Sequence, residues 1–517
     1  MGSSSRSTIC PTSILQQYSI AQLQLFFKNN PSEQLVFEQI QPDFTPNEEQ
    51  RQVLKYVDAS LSSNVLIRTY LTGLGGSGKS ETIKNIGQIF RNHNKIPLFC
   101  SAFGKVSSEI GGQTIHSLLP IGYYKNSNYA KLAKKIKRSP QLVEKFEKYS
   151  AIIIDEISCC NASLFQYLNL VLQVAKLCKT SFGGLHVVVC GDALQLNCVC
   201  ATSLTSHSKN VPPFAKEGIK LFRTFHPVFV LQVNQRQNGD EAFQELLMRL
   251  RRKVTQADVD LLNSRRESVL SSEELARFDQ GLYIFPRNIF TRIKNHESLK
   301  QLGNPIISLK QYPAEPKLED YDCDAISIGC KVKVRRNFDV ANRLVSGSVG
   351  TVEAIIYDPD LPDLPLPSVI LLSVPRYRGP TINGLIPIPI SKQYVRDYAS
   401  NENVKIYYYP LTLNYASSVH SSQGVTLPCC SVLLDDDEMC PGISYVALSR
   451  VRALSDLMIL DKEVFLERFQ TRRFFQGFRN ILKEYKRLNI LHLIFGPKPL
   501  ERDYYLRDSE DESEPTA

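Results

Sequence analysis

The chain has 517 residues, 43% of them hydrophobic and 22% charged, which is ordinary globular composition and too long for a single core. No apolar run reaches the ~20 residues that span a bilayer, no basic-then-apolar leader opens the chain, and Arg6 stands where a myristoylation site wants Ser or Thr, so a soluble intracellular protein is expected. The net charge of +9 is uneven: the last ten residues carry five acids and no base, and without those five charges the rest stands at +14, a balance suited to a polyanionic partner.

Thirteen cysteines are scattered without a CxxC pair. The adjacent pairs Cys159-Cys160 and Cys429-Cys430, and Cys198 with Cys200, do not have zinc spacing, so reduced thiols in a reducing compartment are expected.

Residues 1–43 are polar and mixed and form an N-terminal extension. From 65 to 240, short apolar runs (VLIRTYLTG, IPLFCSA, AIIIDE, LHVVVCGD) alternate with helical patterns. Runs apolar throughout imply a parallel sheet covered on both faces, hence an α/β domain.

The first run leads into Gly73-Leu74-Gly75-Gly76-Ser77-Gly78-Lys79-Ser80, a match to G-x-x-x-x-G-K-[ST]. Ile83, Ile86 and Phe90 then fall on one side of a helix. In that strand–loop–helix setting the glycines let backbone N–H groups close on phosphate oxygens, and the helix N-terminus adds positive charge. Lys79 would reach the β- and γ-phosphates of ATP, and the Ser80 hydroxyl would bind Mg²⁺. The alternative is a plain glycine loop.

AIIIDEIS carries Asp155 and Glu156 to the C-terminal end of a strand, where parallel sheets bind ligands. Asp155 would hold Mg²⁺, and Glu156 would orient and deprotonate the attacking water. VVVCGDALQL (187–196) ends another strand at Asp192, with Gln195 beyond as a sensing residue. LQVNQRQ (231–237) offers Arg236, either for charge developing on the γ-phosphoryl or for a surface salt bridge. From 326 to 408 alternating stretches and the proline-rich DPDLPDLPLPSV suggest a small β-barrel insertion, after which α/β texture returns.

Together these motifs, in this order, resemble the superfamily 1B DNA helicases, within them the PIF-type (petite integration frequency) and RecD-like group, over about residues 44–462. FTPNEEQRQVL resembles the glutamine motif and implies Gln50 at the adenine base. SAFGKVS and TIHSLL resemble motifs that touch single-stranded DNA. They imply Lys105, Thr114 and His116 as contacts, with Phe103 either stacked on a base or packed in the core and His116 alternatively an interdomain residue. SSVHSSQGVTL (417–427) adds His420 and Ser422 on DNA and Gly424 beside the nucleotide. NQRQ and YVALSRVR imply two arginine fingers, Arg236 and Arg450.

The implied fold is two RecA-like P-loop NTPase domains, at 44–225 and 226–465. A short wedge insertion would lie at 120–148, with its KLAKKIKR run, and an SH3-like β-barrel insertion at 326–408. A helical segment at 466–500, with Phe474, Phe478, Ile481, Tyr485 and Leu488 at helical spacing, would pack on the second motor domain or else present a DNA- or partner-binding face, ahead of a disordered acidic tail at 501–517.

The implied function is ATP- and Mg²⁺-dependent 5′→3′ unwinding by movement on single-stranded DNA, in replication, repair or recombination. The expected substrates are single-stranded and forked DNA, with replication or repair proteins as partners. A monomer or DNA-induced dimer is expected, in the nucleus or else the mitochondrion, or in the host nucleus if viral. A viral-type RNA helicase and a catalytically weak nucleic-acid-binding remnant are the alternatives. No two of the eight histidines are two residues apart, which excludes a His-x-His nuclease of the transposon-initiator kind. Cys159, Asn197-Cys198, Ser421 and Ala102-Phe103 depart from the family pattern near the expected DNA path, and none removes a catalytic group.

Overall fold

The short apolar runs form strands of one sheet in a computed structural model. It describes residues 17–30, 44–102, 110–119, 128–198, 201–309, 325–360, 366–396, 403–435, 440–460, 462–470 and 479–495. Phe103, Lys105, part of the expected wedge (120–127), Phe474, Phe478 and the acidic tail lie outside these residues. Two units emerge, one of Glu38–Gly281 with Val419–Ala517 and one of Met1–Phe37 with Leu282–Ser418.

In the first unit, α1 (Glu48–Ser62) starts at Asn47, whose side chain caps the helix reciprocally with Gln50. Six strands follow: β1 (Arg68–Gly73), β2 (Pro97–Ser101), β3 (Gln113–Thr114), β4 (Ala151–Asp155), β5 (His186–Cys190) and β6 (Val228–Leu231). They form one parallel sheet in the order β3-β2-β4-β5-β1-β6, with Leu71 opposite Cys190 and Ile154 opposite Val189. Because every strand runs the same way, the ends of β1, β4, β5 and β6 emerge along one edge.

Helices cover both faces, as fully apolar strands require. On one face, α1 and α2 (Lys79–Asn92) bury Val53, Val57, Ile83, Ile86 and Phe90. On the other, α4 (Ala162–Ala175) and α5 (Pro213–Phe222) bury Phe165, Leu168, Leu172 and Phe222, with α3 (Pro140–Glu147) adding Leu142 and Phe146. Phe165, Phe182, Phe222 and Phe225 pack there with ring centroids 5.3–6.2 Å apart; such pairs add about 0.5–1.5 kcal/mol each beyond their buried area. α6 (Glu241–Arg249) then leads into the basic RLRRK stretch.

The second unit opens with β7 (Leu282–Phe285), α7 (Asn288–Gln301), β8 (Ile307–Ser308) and β9 (Ala325–Ile326). β10 (Lys331–Val334), β11 (Val349–Ile356), β12 (Val369–Ser373) and β13 (Ile386–Pro389) precede a hairpin of β14 (Ser391–Arg396) and β15 (Asn403–Tyr408), then β16 (Leu411–Leu413) and β17 (Ala416–Ser418). An antiparallel sheet runs β13-β12-β11-β10-β16, with a bulge between Val352 and Ala354. Its alternating stretches bury Val332, Val334, Val352 and Ile370 on one face. Leu23 and Phe26 cover Ala354, Ile356 and Leu371 on the other.

The chain returns to the first unit through the short helix Val419–Ser422. β18 (Cys430–Val432), α8 (Ile443–Leu448), β19 (Leu457–Ile459), parallel to β18, and α9 (Arg479–Arg487) follow. Among the described residues no helix is long and apolar enough to cross a membrane.

Candidate active site

Four strand ends and two later segments of the first unit enclose a cavity of about 570 Å³. At the end of β1 the glycine loop needs backbone that side chains resist. Gly76 and Gly78 have φ of 83° and 82°, and a Cβ would stand 2.5 Å from the Arg236 Cβ at the first and 2.6 Å from the Gln50 amide nitrogen at the second. Lys79 opens α2 and folds back, its Nζ donating to the carbonyls of Gly73 (3.0 Å) and Leu74 (2.6 Å).

The Ser80 hydroxyl donates to Asp155 Oδ2 at 3.0 Å, joining the loop to the end of β4. Asp155 is buried and accepts the Glu156 N–H on Oδ1 at 2.8 Å. Glu156 has φ 52°, left-handed backbone unusual outside glycine, which turns its carboxyl back over the cavity. Gln423 Nε2 donates to Glu156 Oε2 at 3.1 Å. Burial raises the pKa of both carboxyls; for Glu156 burial, followed by the Asp155 charge, pushes it up to about 7. Such a carboxylate is poised to take a proton near neutral pH.

At the end of β5, Asp192 organises the turn that carries Gln195. Its Oδ1 accepts the Leu194 N–H (3.1 Å) and Arg251 Nη2 (2.8 Å), and its Oδ2 accepts Gln195 Nε2 (3.3 Å). The Asp192 and Arg251 side chains are each 1% exposed, a buried ion pair. At the end of β6 the N–H groups of Gln235 and Arg236 donate to the Gly76 carbonyl (2.8 and 3.1 Å), locking that exit to the loop. Arg236 Nη1 donates to the Ser449 carbonyl at 2.8 Å.

Arg450 follows α8 and is 1% exposed. It donates to the carbonyls of Val446, Ser422 and Val425 and to Ser449 Oγ. Burial, then the Arg236 charge, lowers its pKa to about 9. Two guanidiniums held together call for an anion between them.

Lys79, Ser80, Asp155, Glu156, Gln195, Arg236, Gly424 and Arg450 all line the cavity. Gln50 does not: its carbonyl accepts the Asn47 N–H at 3.0 Å, a helix-cap role that the Asn-x-x-Gln spacing also signals. Thr114 Oγ1 caps the short helix Ile115–Leu118, and exposed His116 faces the Tyr129 hydroxyl at 3.4 Å. His420 lies 4.0 Å from the Cys440 thiol. Ser422 is buried, its hydroxyl donating to the Val419 carbonyl at 2.9 Å, so its side chain is turned away from solvent.

Sequence reasoning missed three partners. Tyr445 accepts the Gly75 N–H on its hydroxyl at 3.0 Å, Gln423 holds Glu156, and Arg251 neutralises Asp192. The first two stand inside motifs already quoted, while Arg251 stands in a run with no signal of its own. A lysine, two arginines, a glycine loop and a paired carboxylate around one cavity suit binding a polyphosphate and activating water against it.

Residues 45–256 match the family model described as PIF1-like helicase. The ATP-dependent DNA helicase Pif1 of Bdellovibrio bacteriovorus is 28% identical over 411 residues, covering 76% of this chain and 83% of that protein. The ATP-dependent DNA helicase PIF1 of Danio rerio is 27% identical over 441 residues, covering 81% of this chain and 61% of that protein. Among solved structures, Pif1 helicase from Candida albicans superposes with a TM-score of 0.64 at 23% identity, covering 86% of this chain and all of that one. Bacteroides Pif1 in complex with ADP-AlF3 and single-stranded DNA gives 0.63 at 22% identity, covering 86% and 98%.

Proposed function

The chain belongs to the PIF1-like helicase family, and from that premise we propose that it is an ATP-dependent DNA helicase, moving 5′→3′ on single-stranded DNA and parting forked duplex. The observation that carries this reading is the convergence of Lys79, the Ser80–Asp155 pair, Glu156, Arg236 and Arg450 on one cavity. ATP phosphates would lie on the glycine loop, and Lys79 would exchange its carbonyl partners for phosphate oxygens. Arg236 and Arg450 would meet charge developing on the γ-phosphoryl. Glu156, held by Gln423, would accept the proton of the attacking water.

The Ser80 and Asp155 oxygens, 3.0 Å apart at the loop, are hard donors that fit Mg²⁺. When bound, that ion supplies neutralisation of phosphate charge.

Thr114, His116 and His420 would meet the DNA backbone, which would make the grip sequence-blind. The antiparallel sheet supports the reading of an SH3-like insertion, and the chain from 128 to 148 that of part of a wedge. Replication, repair or recombination in the nucleus is the matching setting, with replication or repair proteins as partners and a monomer or DNA-induced dimer as the working form.

ATP turnover tests the reading, measured without nucleic acid and with single-stranded DNA or RNA. Stimulation by DNA supports it. Stimulation by RNA alone would turn it to an RNA helicase, and no turnover with DNA binding intact would leave a binding protein.

A further inference from the structure

α9 begins 27 residues beyond the last cavity-lining residue, Arg452, yet one of its side chains packs behind groups that shape the site. Tyr485 is fully buried. Its hydroxyl is turned toward Thr72 at the end of β1, the Ala193 backbone and the Asp192–Arg251 pair. Asp192 in turn holds Gln195, which lines the cavity, and Arg251 lies under the Tyr445 ring at 5.0 Å, whose hydroxyl takes the Gly75 N–H. Tyr485 is therefore two contacts from Gln195, through Asp192, and three from the glycine loop, through Arg251 and Tyr445.

α9 is tied down at the neighbouring residue. Glu484 is 1% exposed and accepts from Arg487 (2.7 Å at the closest) and from His207 (3.2 Å), with the Arg223 guanidinium at 3.5 Å. A carboxylate is buried in this way only when cations surround it. His207 and Arg223 belong to the chain that follows the Gln195 turn, so the anchor and the plug grip the same segment.

Packing contributes more than hydrogen bonding to holding the plug. The Tyr485 hydroxyl meets Thr72 and the Ala193 backbone without a hydrogen bond of good geometry, and Nε and Nη1 of Arg251 are likewise buried. The ring's volume and the Glu484 anchor set its place.

We infer that Tyr485 is a positioning residue for ATP hydrolysis: from the C-terminal helix it braces the Asp192–Gln195 turn, and Glu484 keeps it there. The inference rests on the ATPase reading above. It makes the helix at 479–487 part of the motor rather than an appended support.

The test compares full-length wild type, Tyr485→Phe, Tyr485→Ala and Glu484→Gln. ATP turnover at saturating single-stranded DNA is divided by the fraction of chains that bind an unhydrolysable ATP analogue. Tyr485→Ala should lose about tenfold or more in kcat, since small misplacements of catalytic groups have that effect, while KM and analogue affinity stay within about twofold. Tyr485→Phe keeps the ring and should stay within about twofold of wild type in kcat, and Glu484→Gln should fall between.

Equal kcat per binding-competent chain in Tyr485→Ala and wild type would overturn the inference. So would loss of analogue binding in parallel with kcat. If Tyr485→Ala does not fold, Glu484→Gln decides, an unchanged kcat being the refuting result. Failure of wild type itself to hydrolyse ATP would instead overturn the ATPase reading.

Discussion

Replacing Glu156 by Gln should make the protein more stable and less active at once. Burial, then the neighbouring Asp155 charge, raises the Glu156 pKa from 4.5 to about 7, against the opposing pull of Lys79, the Gln423 hydrogen bond and Arg450. A raised carboxyl pKa means that the folded state holds the proton more tightly than the unfolded chain. The destabilisation is therefore absent below pH 4.5, grows between 4.5 and about 7, and is complete above 7. At about 1.4 kcal/mol for each pH unit its upper bound is about 3 kcal/mol. Residual solvent contact of the half-buried side chain screens the charge and brings the expected value to about 1–2 kcal/mol. Gln keeps the carbonyl that accepts from Gln423 at the same position. Thermal unfolding of the nucleotide-free protein at pH 5 and pH 8 measures the difference. Glu156→Gln should melt about 1–2 °C above wild type at pH 8, with the gap nearly closed at pH 5. Its DNA-stimulated ATPase should fall by about 10² or more, because the general base is gone. A gap independent of pH, or a variant less stable than wild type at pH 8, would refute the reasoning.

Lys79→Ala should reduce ATP turnover by about 10²–10³, the scale seen when a group that stabilises transition-state charge is removed, while single-stranded DNA binding measured by fluorescence anisotropy stays within about twofold. Arg251→Ala strips the partner from buried Asp192 and should lower unfolding stability by about 3–5 kcal/mol. The double change Arg251→Met with Asp192→Asn should recover most of that in chemical denaturation. Gly218→Ala places a Cβ 2.0 Å from the Ala162 carbonyl oxygen, where α5 crosses α4. It should cost about 1–3 kcal/mol as an overpacked contact, read as a lower melting temperature with nucleotide affinity unchanged.

The parallel sheet was legible because burial on both faces leaves a plain mark, short runs such as AIIID and HVVVC with no polar position. Lys79, Ser80, Asp155 and Gln195 were legible for a topological reason: each stands at a strand's C-terminal end or in the segment just beyond it, so reading the strand places the residue on the cavity edge. Arg236 and Arg450 needed the family resemblance, since nothing local to YVALSRVR indicates that the fold brings Arg450 beside Arg236. Tyr445 was illegible because its partner, the Gly75 N–H, lies 370 residues away, and a hydroxyl beside a glycine loop has no sequence signature. Arg251 was hidden for a related reason. In RLRRK a solvated cation and a buried ion-pair partner look alike until Asp192 is found facing one of them. Gln50 shows the converse, a motif residue whose carbonyl is taken by local capping chemistry while its amide nitrogen lies against Gly78.

Strand separation on a duplex with a single-stranded tail, with ATP present and wild type run beside Lys79→Ala, tests directly whether this chain is an ATP-driven motor on DNA. Loss of separation in Lys79→Ala is the result expected of the cavity and its two arginines, and separation from a 5′ tail but not a 3′ tail is the result expected of the proposed 5′→3′ movement. Separation that survives Lys79→Ala, or that is absent from both tails while ATP is consumed, would contradict the coupling of this site to movement along DNA.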